Sequence, residues 1–236
     1  MTRDSRQKLL DVFRPTGERS DFAEVLGITD LAQNVLNALY EEWSDRFEEL
    51  AREKVRELLT DILKVSKSSV QSSIRNFADG VTISVSEQTP QMREVFRAAV
   101  NENVALIKSI PQQYLERLQG DVMRTITTEN SSLSELTASI QKYGGMTYRR
   151  ASNIALDQTR KAYQSFNQQM LGQAGIKKGI WIHTGGTMHP RQKHRDFNGK
   201  EFDLSKGAPI GDDGGNYVFP GQCVNCRCTF IPIIDF

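Results

Sequence analysis

The stretch that decides the fold is TDLAQNVLNALYEEWSDRFEELAREKVRELLTDIL, residues 29–63. Its apolar residues recur every four positions, at Leu31, Val35, Leu39, Trp43 and Phe47. Glutamate, aspartate, arginine and lysine fill most of the remaining surface. An apolar stripe with a polar opposite face is typical of an amphipathic helix. The sequence therefore predicts a long helix that begins near residue 29.

Helical patterns extend outward from this stretch in both directions. They predict further helices over residues 1–13, 91–128, 133–143 and 147–171. Pro111 is expected to interrupt or kink the second of these, and Gly144-Gly145 to end the third. Residues 66–90 are rich in serine and threonine, so the helical pattern weakens there.

The hydrophobic pattern of the sequence changes after Gly175, where short apolar runs alternate with predicted loops. Residues 180–182 (Ile-Trp-Ile) predict a short strand, with Trp181 as a core residue together with Phe202. Residues 230–234 predict an edge strand, because an edge tolerates the proline. The predicted class is α+β, with a long, mostly α-helical region over residues 1–130. A small, mixed α/β, loop-rich module follows over residues 131–236.

Composition narrows the possible functions. The chain has 236 residues, 38% hydrophobic, and a formal net charge of +1, so no global field draws it to DNA or to an anionic membrane. No run approaches the roughly 18 apolar residues of a membrane span. The charged N-terminus lacks the apolar core of a secretory signal. These features predict a protein of the cytoplasm, or of a particle assembled there.

Every histidine and every cysteine of the chain lies in the C-terminal module: His183, His189, His194, Cys223, Cys226 and Cys228. Zinc needs about four nitrogen or sulfur donors, and a Cys-x-x-Cys turn presents two of them. A metal ion would also stabilise a loop-rich module that has little core of its own. The alternative is that the thiols are buried as small hydrophobic groups and the histidines hydrogen-bond to loop backbone. Both interpretations stay open at this point.

Several motifs of the module resemble, in order, those of the Mu F-like head morphogenesis family of phages. The resemblance rests on Ala155–Tyr163 (ALDQTRKAY), Gly175-Ile176 leading to Trp181, Pro190–His194 (PRQKH), Asn198–Phe202 (NGKEF), and Pro220-Gly221 leading to Cys226-Arg227-Cys228 and Pro232. It covers about residues 131–234. The family usually has arginine where Leu156 stands, so a charged role at that position is not expected.

The resemblance narrows the choice of metal ligands and also implies a function. Within it, His194, Cys226 and Cys228 are the leading zinc ligands. Cys223 falls where the family does not usually have cysteine, and either Cys223 or His189 would be the fourth ligand.

The function that the resemblance implies is that of a non-enzymatic minor head protein. Such a protein acts in capsid assembly at the portal vertex and in DNA packaging or delivery. Its partners would be the portal protein, the major capsid or scaffold protein and packaged DNA, in the virion interior and, during assembly, the host cytoplasm. The aromatic cluster of Tyr40, Trp43 and Phe47 suggests that residues 30–65 dock on the portal.

Two alternatives belong to other functional classes. The first is a sequence-independent DNA-binding module, for which the cations are Lys177, Lys178, Arg191, Lys193, Arg195 and Lys200. Nearby acidic residues neutralise most of that positive charge: Asp196, Glu201, Asp203, Asp212 and Asp213. The second is a metal-dependent nuclease, in which His189 and His194 would hold a metal-bound water. The sequence lacks the nucleophile elbow, the phosphate loop and the His-Glu-x-x-His motif.

Overall fold

The computed structural model describes residues 1–13, 23–77, 85–86, 89–128, 133–185, 189–211 and 216–234. The helices are α1 (Thr2–Val12), α2 (Ala23–Phe77), α3 (Pro90–Thr127), α4 (Leu133–Gln173) and α5 (Gln192–Asp196). The strands are β1 (Lys178–Ile182), β2 (Glu201–Asp203) and β3 (Thr229–Ile233). Long helices followed by a small sheet confirm the predicted α+β class.

The sheet is antiparallel, with the strand order β2-β1-β3. In its register, Gly179 of β1 pairs with Phe202 on one side and with Pro232 on the other. Proline has no backbone N–H to donate, and a central strand must hydrogen-bond to a neighbouring strand on each side. The edge position of β3 therefore accommodates Pro232, and both predicted strands are confirmed.

Helix α2 is longer than the sequence pattern predicted. It begins at Ala23 and continues through the serine-rich segment to Phe77. Val70 and Ile74 are buried there, so burial of an apolar face continues where the local pattern weakens. Leu31, at the start of the predicted stripe, is 53% exposed. A strict four-residue repeat drifts around a helix of 3.6 residues per turn, so its first member leaves the buried face.

Helix α3 passes through Pro111 without a break, so Pro111 does not interrupt the helix, and the alternative of a kink stays a prediction. A proline inside a helix removes one backbone hydrogen bond and crowds the preceding turn, at a cost of about 3 kcal/mol. Ile110, Tyr114 and Leu115 are buried on either side of Pro111. Tertiary packing of this turn outweighs the local penalty.

Helix α4 also continues where the sequence predicted an end. It runs through Gly144-Gly145 without a break. A Cβ at Gly144 would lie 2.7 Å from the Thr2 side chain. The glycine is thus used for close packing of α1 against α4 rather than for a turn. The helix ends at Gln173, and Gly175 takes the left-handed conformation at φ +80°. The N–H of Ile176 donates to the carbonyl of Leu171 (3.0 Å), which is the Schellman arrangement.

The described residues divide into two compact units, each built from stretches that are separate in the sequence. Unit 1 comprises residues 1–53 and 104–154. Its core includes Leu9, Leu36, Leu39, Tyr114, Leu118 and Ile140. Polar contacts add to this packing: the Trp43 Nε1–H donates to Asp4 (2.9 Å), and the Tyr143 hydroxyl donates to Asp121 (2.8 Å).

Unit 2 comprises residues 54–103 and 155–236, and it contains the sheet. Its buried helical residues include Val55, Leu59, Ile62, Val70, Ile74, Met92, Phe166 and Met170. Phe96 stacks on Phe166 with ring centroids 6.1 Å apart. The buried amide of Asn103 donates to Gln158 Oε1 (3.1 Å).

Some sequence-based expectations lie outside the described residues. The sequence also predicts breaks in the helical pattern at Pro15–Gly17 and Asn130–Ser132 and a turn at Asp79-Gly80, and these are the expectations in question. The division of the chain at residue 130 stays a prediction. Among the described residues, no helix is both long enough and apolar enough to cross a membrane.

Candidate metal centre

Three predicted ligands meet in the interior of the C-terminal module. His194 comes from the short helix α5, Cys226 from the turn that precedes β3, and Cys228 from the residue before that strand. The His194 Nδ1 lies 3.6 Å from Cys226 Sγ and 3.7 Å from Cys228 Sγ. All three ligand atoms lie within 4.8 Å of one another, and all three residues are buried.

The donor set fits zinc. In a tetrahedral zinc site, a thiolate sulfur and an imidazole nitrogen lie about 3.5 Å apart, given the ordinary Zn–S and Zn–N lengths. The two nitrogen–sulfur distances of the cluster are close to that value. His194, Cys226 and Cys228 would hold the ion, which would supply a cross-link between α5 and the segment leading into β3.

An aromatic core positions His194. The ring of Trp181, on β1, is fully buried and meets the His194 ring edge-on with centroids 5.2 Å apart. Phe197 and Phe202 pack on the same indole at 6.0 and 5.8 Å. Both Trp181 and Phe202 are buried, as predicted. The Nε2 atom of His194 is buried and has no hydrogen-bond partner among the described residues.

A tight turn positions the two cysteines. The N–H of Cys226 donates to the carbonyl of Cys223 (2.9 Å), and Asn225 takes a positive φ of 60° within the turn. The N–H of Asn225 donates to the Asp157 carboxylate of α4 (2.6 Å). Asp157 is buried, and burial raises its pKa against the opposing effect of this hydrogen bond. Helix α4 thus anchors the Cys-x-x-Cys turn through one side chain.

Further residues of α4 anchor the rest of the module. Gln164 donates to the hydroxyl of Thr229 (2.9 Å), and Gln168 donates to the carbonyl of Leu204 (2.5 Å). Gly221 lies so close to α4 that a Cβ there would come 3.1 Å from the Gln164 side chain. One polar face of α4 therefore carries the loops that bring the cysteines together.

The electrostatics of the cluster favour a thiolate beside an imidazolium in the metal-free chain. Hydrogen bonds with the thiols of Cys223 and Cys226 raise the pKa of His194 to about 9. A hydrogen bond from the Cys228 thiol, assisted by His194, lowers the pKa of Cys226 against the effect of burial. The same hydrogen bond, together with burial, raises the pKa of Cys228. The thiolate is the form in which cysteine binds a metal, so the lowered pKa of Cys226 favours its ligand form.

The structure does not bring all the predicted ligands together. Cys223 is half-buried and influences His194, but it lies outside the cluster of mutually close ligand atoms. His189 is exposed in the loop before α5, also outside the cluster. A residue that the sequence-based ligand set omitted, His183, also lies outside this cluster, but its Nδ1 is 3.5 Å from Cys228 Sγ. Strand alternation was the available signal, because it places His183 on the same face as Trp181.

The fold and the cluster define the class: long helices and a small α+β module closed around buried histidine and cysteine side chains. Within that class, residues 116–231 match the family model described as phage Mu protein F like protein. The resemblance drawn from the sequence motifs is thereby confirmed.

A relative is known in Haemophilus influenzae, where an uncharacterized protein is 31% identical over 169 residues. The aligned region covers 71% of this chain and 36% of that protein, so the chain spans little more than a third of its relative's length. No solved structure matches the chain.

Proposed function

We propose that this chain is a minor head protein that joins the capsid at the portal vertex and acts there in DNA packaging or delivery. The observation that carries the proposal is the family match over residues 116–231, which coincides with the module that contains the candidate metal centre. In this proposal the module is a structural element, and His194, Cys226 and Cys228 hold a zinc ion that stabilises it. The protein works in the virion interior after assembly in the host cytoplasm.

A structural role is better supported than a catalytic one. A catalytic zinc needs an open coordination position and access to water. The three clustered ligands are all buried, and His189, which a nuclease would use as a second histidine, lies outside the cluster. We therefore propose that the centre is closed and has no hydrolytic activity.

The DNA-binding alternative is less well supported by the contacts of its cations. Lys193 donates to the carbonyl of Gly211 (2.8 Å), and Arg191 donates to the carbonyl of Val224 (3.2 Å). Lys178 forms an ion pair with Glu201 (3.4 Å). Side chains bonded within the module are less available to phosphates, which supports the assembly role over general DNA contact.

The experiment that tests the proposed function is a mass-spectrometric inventory of purified particles and their precursors. We expect the chain at low copy number in both, and we expect heads made without its gene to fail in DNA packaging or delivery. The proposal is contradicted if the chain is missing from mature particles and from every precursor.

Portal docking needs its own test, because the side chains of the aromatic cluster within α2 are only partly exposed. Trp43 packs on the core of unit 1 and bonds to Asp4, whereas Tyr40 is 44% exposed. We propose that Tyr40 and the exposed Leu50 contact the portal. The double substitution Tyr40→Ser and Leu50→Ser should reduce co-purification with portal protein, and the exposed Leu156→Ser on α4 should not. Equal recovery of all variants would refute this docking surface.

A further inference from the structure

His183 lies beside the three clustered ligands, one residue after the end of β1. Its Nδ1 is 3.5 Å from Cys228 Sγ, which again matches the nitrogen–sulfur separation of about 3.5 Å in tetrahedral zinc. We infer that His183 supplies the fourth ligand and that the centre is of the two-cysteine, two-histidine type. The inference rests on the metal centre proposed above.

The backbone around His183 is held in place by hydrogen bonds on both sides. The N–H of His183 itself donates to the side-chain oxygen of Asn198 (2.7 Å). The hydroxyl of the next residue, Thr184, donates to the carbonyl of Arg227 (2.6 Å), between the two cysteines. A ligand whose backbone is fixed before the metal arrives loses little conformational entropy on binding. His183 is therefore positioned by the fold rather than by the ion.

The register of β1 directs His183 towards the cluster. Side chains two residues apart along a strand share one face of the sheet. Trp181, two residues earlier, is fully buried and packs edge-on against His194. His183 continues that face beyond the strand, where it reaches Cys228.

Charge also favours His183 over Cys223 as the fourth ligand. Two thiolates and two neutral imidazoles balance a divalent ion, whereas a third thiolate leaves a net negative charge. A buried uncompensated charge is costly. His194, Cys226 and Cys228 are all buried, so the neutral donor set suits this environment better. Cys223 is then left as a half-buried thiol that hydrogen-bonds to His194.

The inference is tested on the full chain by titration with zinc and with cobalt(II), whose visible spectrum reports coordination number and thiolate ligands. His183→Ala should weaken zinc binding by about 100-fold or more, because even an outer-shell partner is worth 10- to 100-fold. His183→Cys should restore tight binding and add thiolate charge-transfer absorption. His189→Ala, the matched control, should change neither the affinity nor the spectrum, and Cys223→Ser should leave the thiolate charge-transfer absorption unchanged.

Two outcomes distinguish the inference from the proposal beneath it. If the wild-type chain binds neither zinc nor cobalt(II), the metal centre itself is refuted and the fourth ligand with it. A second outcome is that the wild-type chain binds one ion, that His183→Ala leaves the affinity unchanged, and that Cys223→Ser lowers the charge-transfer absorption. This outcome would support the proposed metal centre and contradict the assignment of His183. In that case Cys223, not His183, completes it.

Discussion

At the scale of single residues, Asp157 links helix α4 to the Cys-x-x-Cys turn through one hydrogen bond. Its carboxylate accepts from the N–H of Asn225 at 2.6 Å, and the side chain is buried. Asn225 in turn lies directly before Cys226 and takes a positive φ. The contact fixes the one residue of the turn whose backbone conformation is uncommon for a side chain other than glycine.

Substitution of Asp157 should therefore destabilise the module and loosen the metal site. Asp157→Ala removes the acceptor, and we expect a loss of about 1 kcal/mol in the free energy of unfolding, the usual net value of such a bond. Zinc affinity should fall by about 10-fold or more, as for other outer-shell partners.

Asp157→Asn is the matched control, because it keeps an acceptor oxygen and removes the charge that burial disfavours. We expect it to stay close to wild type in urea unfolding and in zinc titration. Equal zinc affinity of the alanine variant and the wild type would show that α4 does not position the turn.

Part of the candidate metal centre could be predicted from the sequence. Cys226, Cys228 and His194 were selected through the family resemblance, because residue types and spacing alone left the ligand set open. His183 was not selected, because its closeness to Cys228 depends on the register of β1 and on the bond from Thr184 to Arg227. Neither feature can be inferred from spacing along the chain.

Helix α4, at the scale of the element, shows why a glycine pair is an ambiguous signal. Glycine is common at helix ends because it tolerates positive φ, but it also allows two backbones to approach closely. The pair Gly144-Gly145 lies inside α4, and only Gly144 faces Thr2 of α1. The sequence pattern cannot separate these uses, since the contact is made with a residue far away in the sequence.

The glycine pair offers a matched test of this explanation. Gly145→Ala has open space around the new methyl group, so it should raise the free energy of unfolding by up to about 1 kcal/mol. Gly144→Ala should lack that gain, or destabilise the protein, because its Cβ would meet Thr2 at 2.7 Å. Thermal and urea unfolding of the two variants would measure the difference, and equal stabilisation by both would contradict close packing at Gly144.

Asp121 of α3 and Tyr143 of α4 form the contact that should give unit 1 a dependence on acid pH. Burial tends to raise the pKa of Asp121, but hydrogen bonds from Ser139 and Tyr143 outweigh it, so the pKa lies below its usual value of 3.8. A lowered carboxyl pKa contributes stability that is present above the usual value and is lost as pH falls through the folded-state value.

The substitution Tyr143→Phe keeps the ring and removes one of these hydrogen bonds. We expect it to raise the pKa of Asp121 and to destabilise the chain at neutral pH. The difference from wild type should shrink as the pH falls from about 4 towards about 2, where Asp121 becomes protonated. Urea unfolding across this range measures it, and a difference that stays constant down to the lowest pH would speak against the Asp121 contact.

The whole molecule was only partly predictable from its sequence. The α+β class followed from the change in texture near Gly175, because hydrophobic periodicity is a local property. The two compact units did not follow, because each joins stretches separated in sequence, such as residues 1–53 with 104–154. The helices α2, α3 and α4 each contribute to both units, so no loop in the sequence marks the division.

In the proposed function, the chain acts through a module that helix α4 supports and that a metal ion would close. The family match over residues 116–231 contains all of the clustered ligands. A module with few strands and many loops has a limited apolar core, so a bound ion contributes a large share of its stability.

The zinc content of the purified full-length chain tests this claim most directly, with His194→Ala as the comparison. We predict one zinc per wild-type chain by native mass spectrometry and elemental analysis, and loss of that ion in the variant. A wild-type chain that folds with less than about half an equivalent of zinc, and keeps its fold in a strong chelator, would contradict the claim.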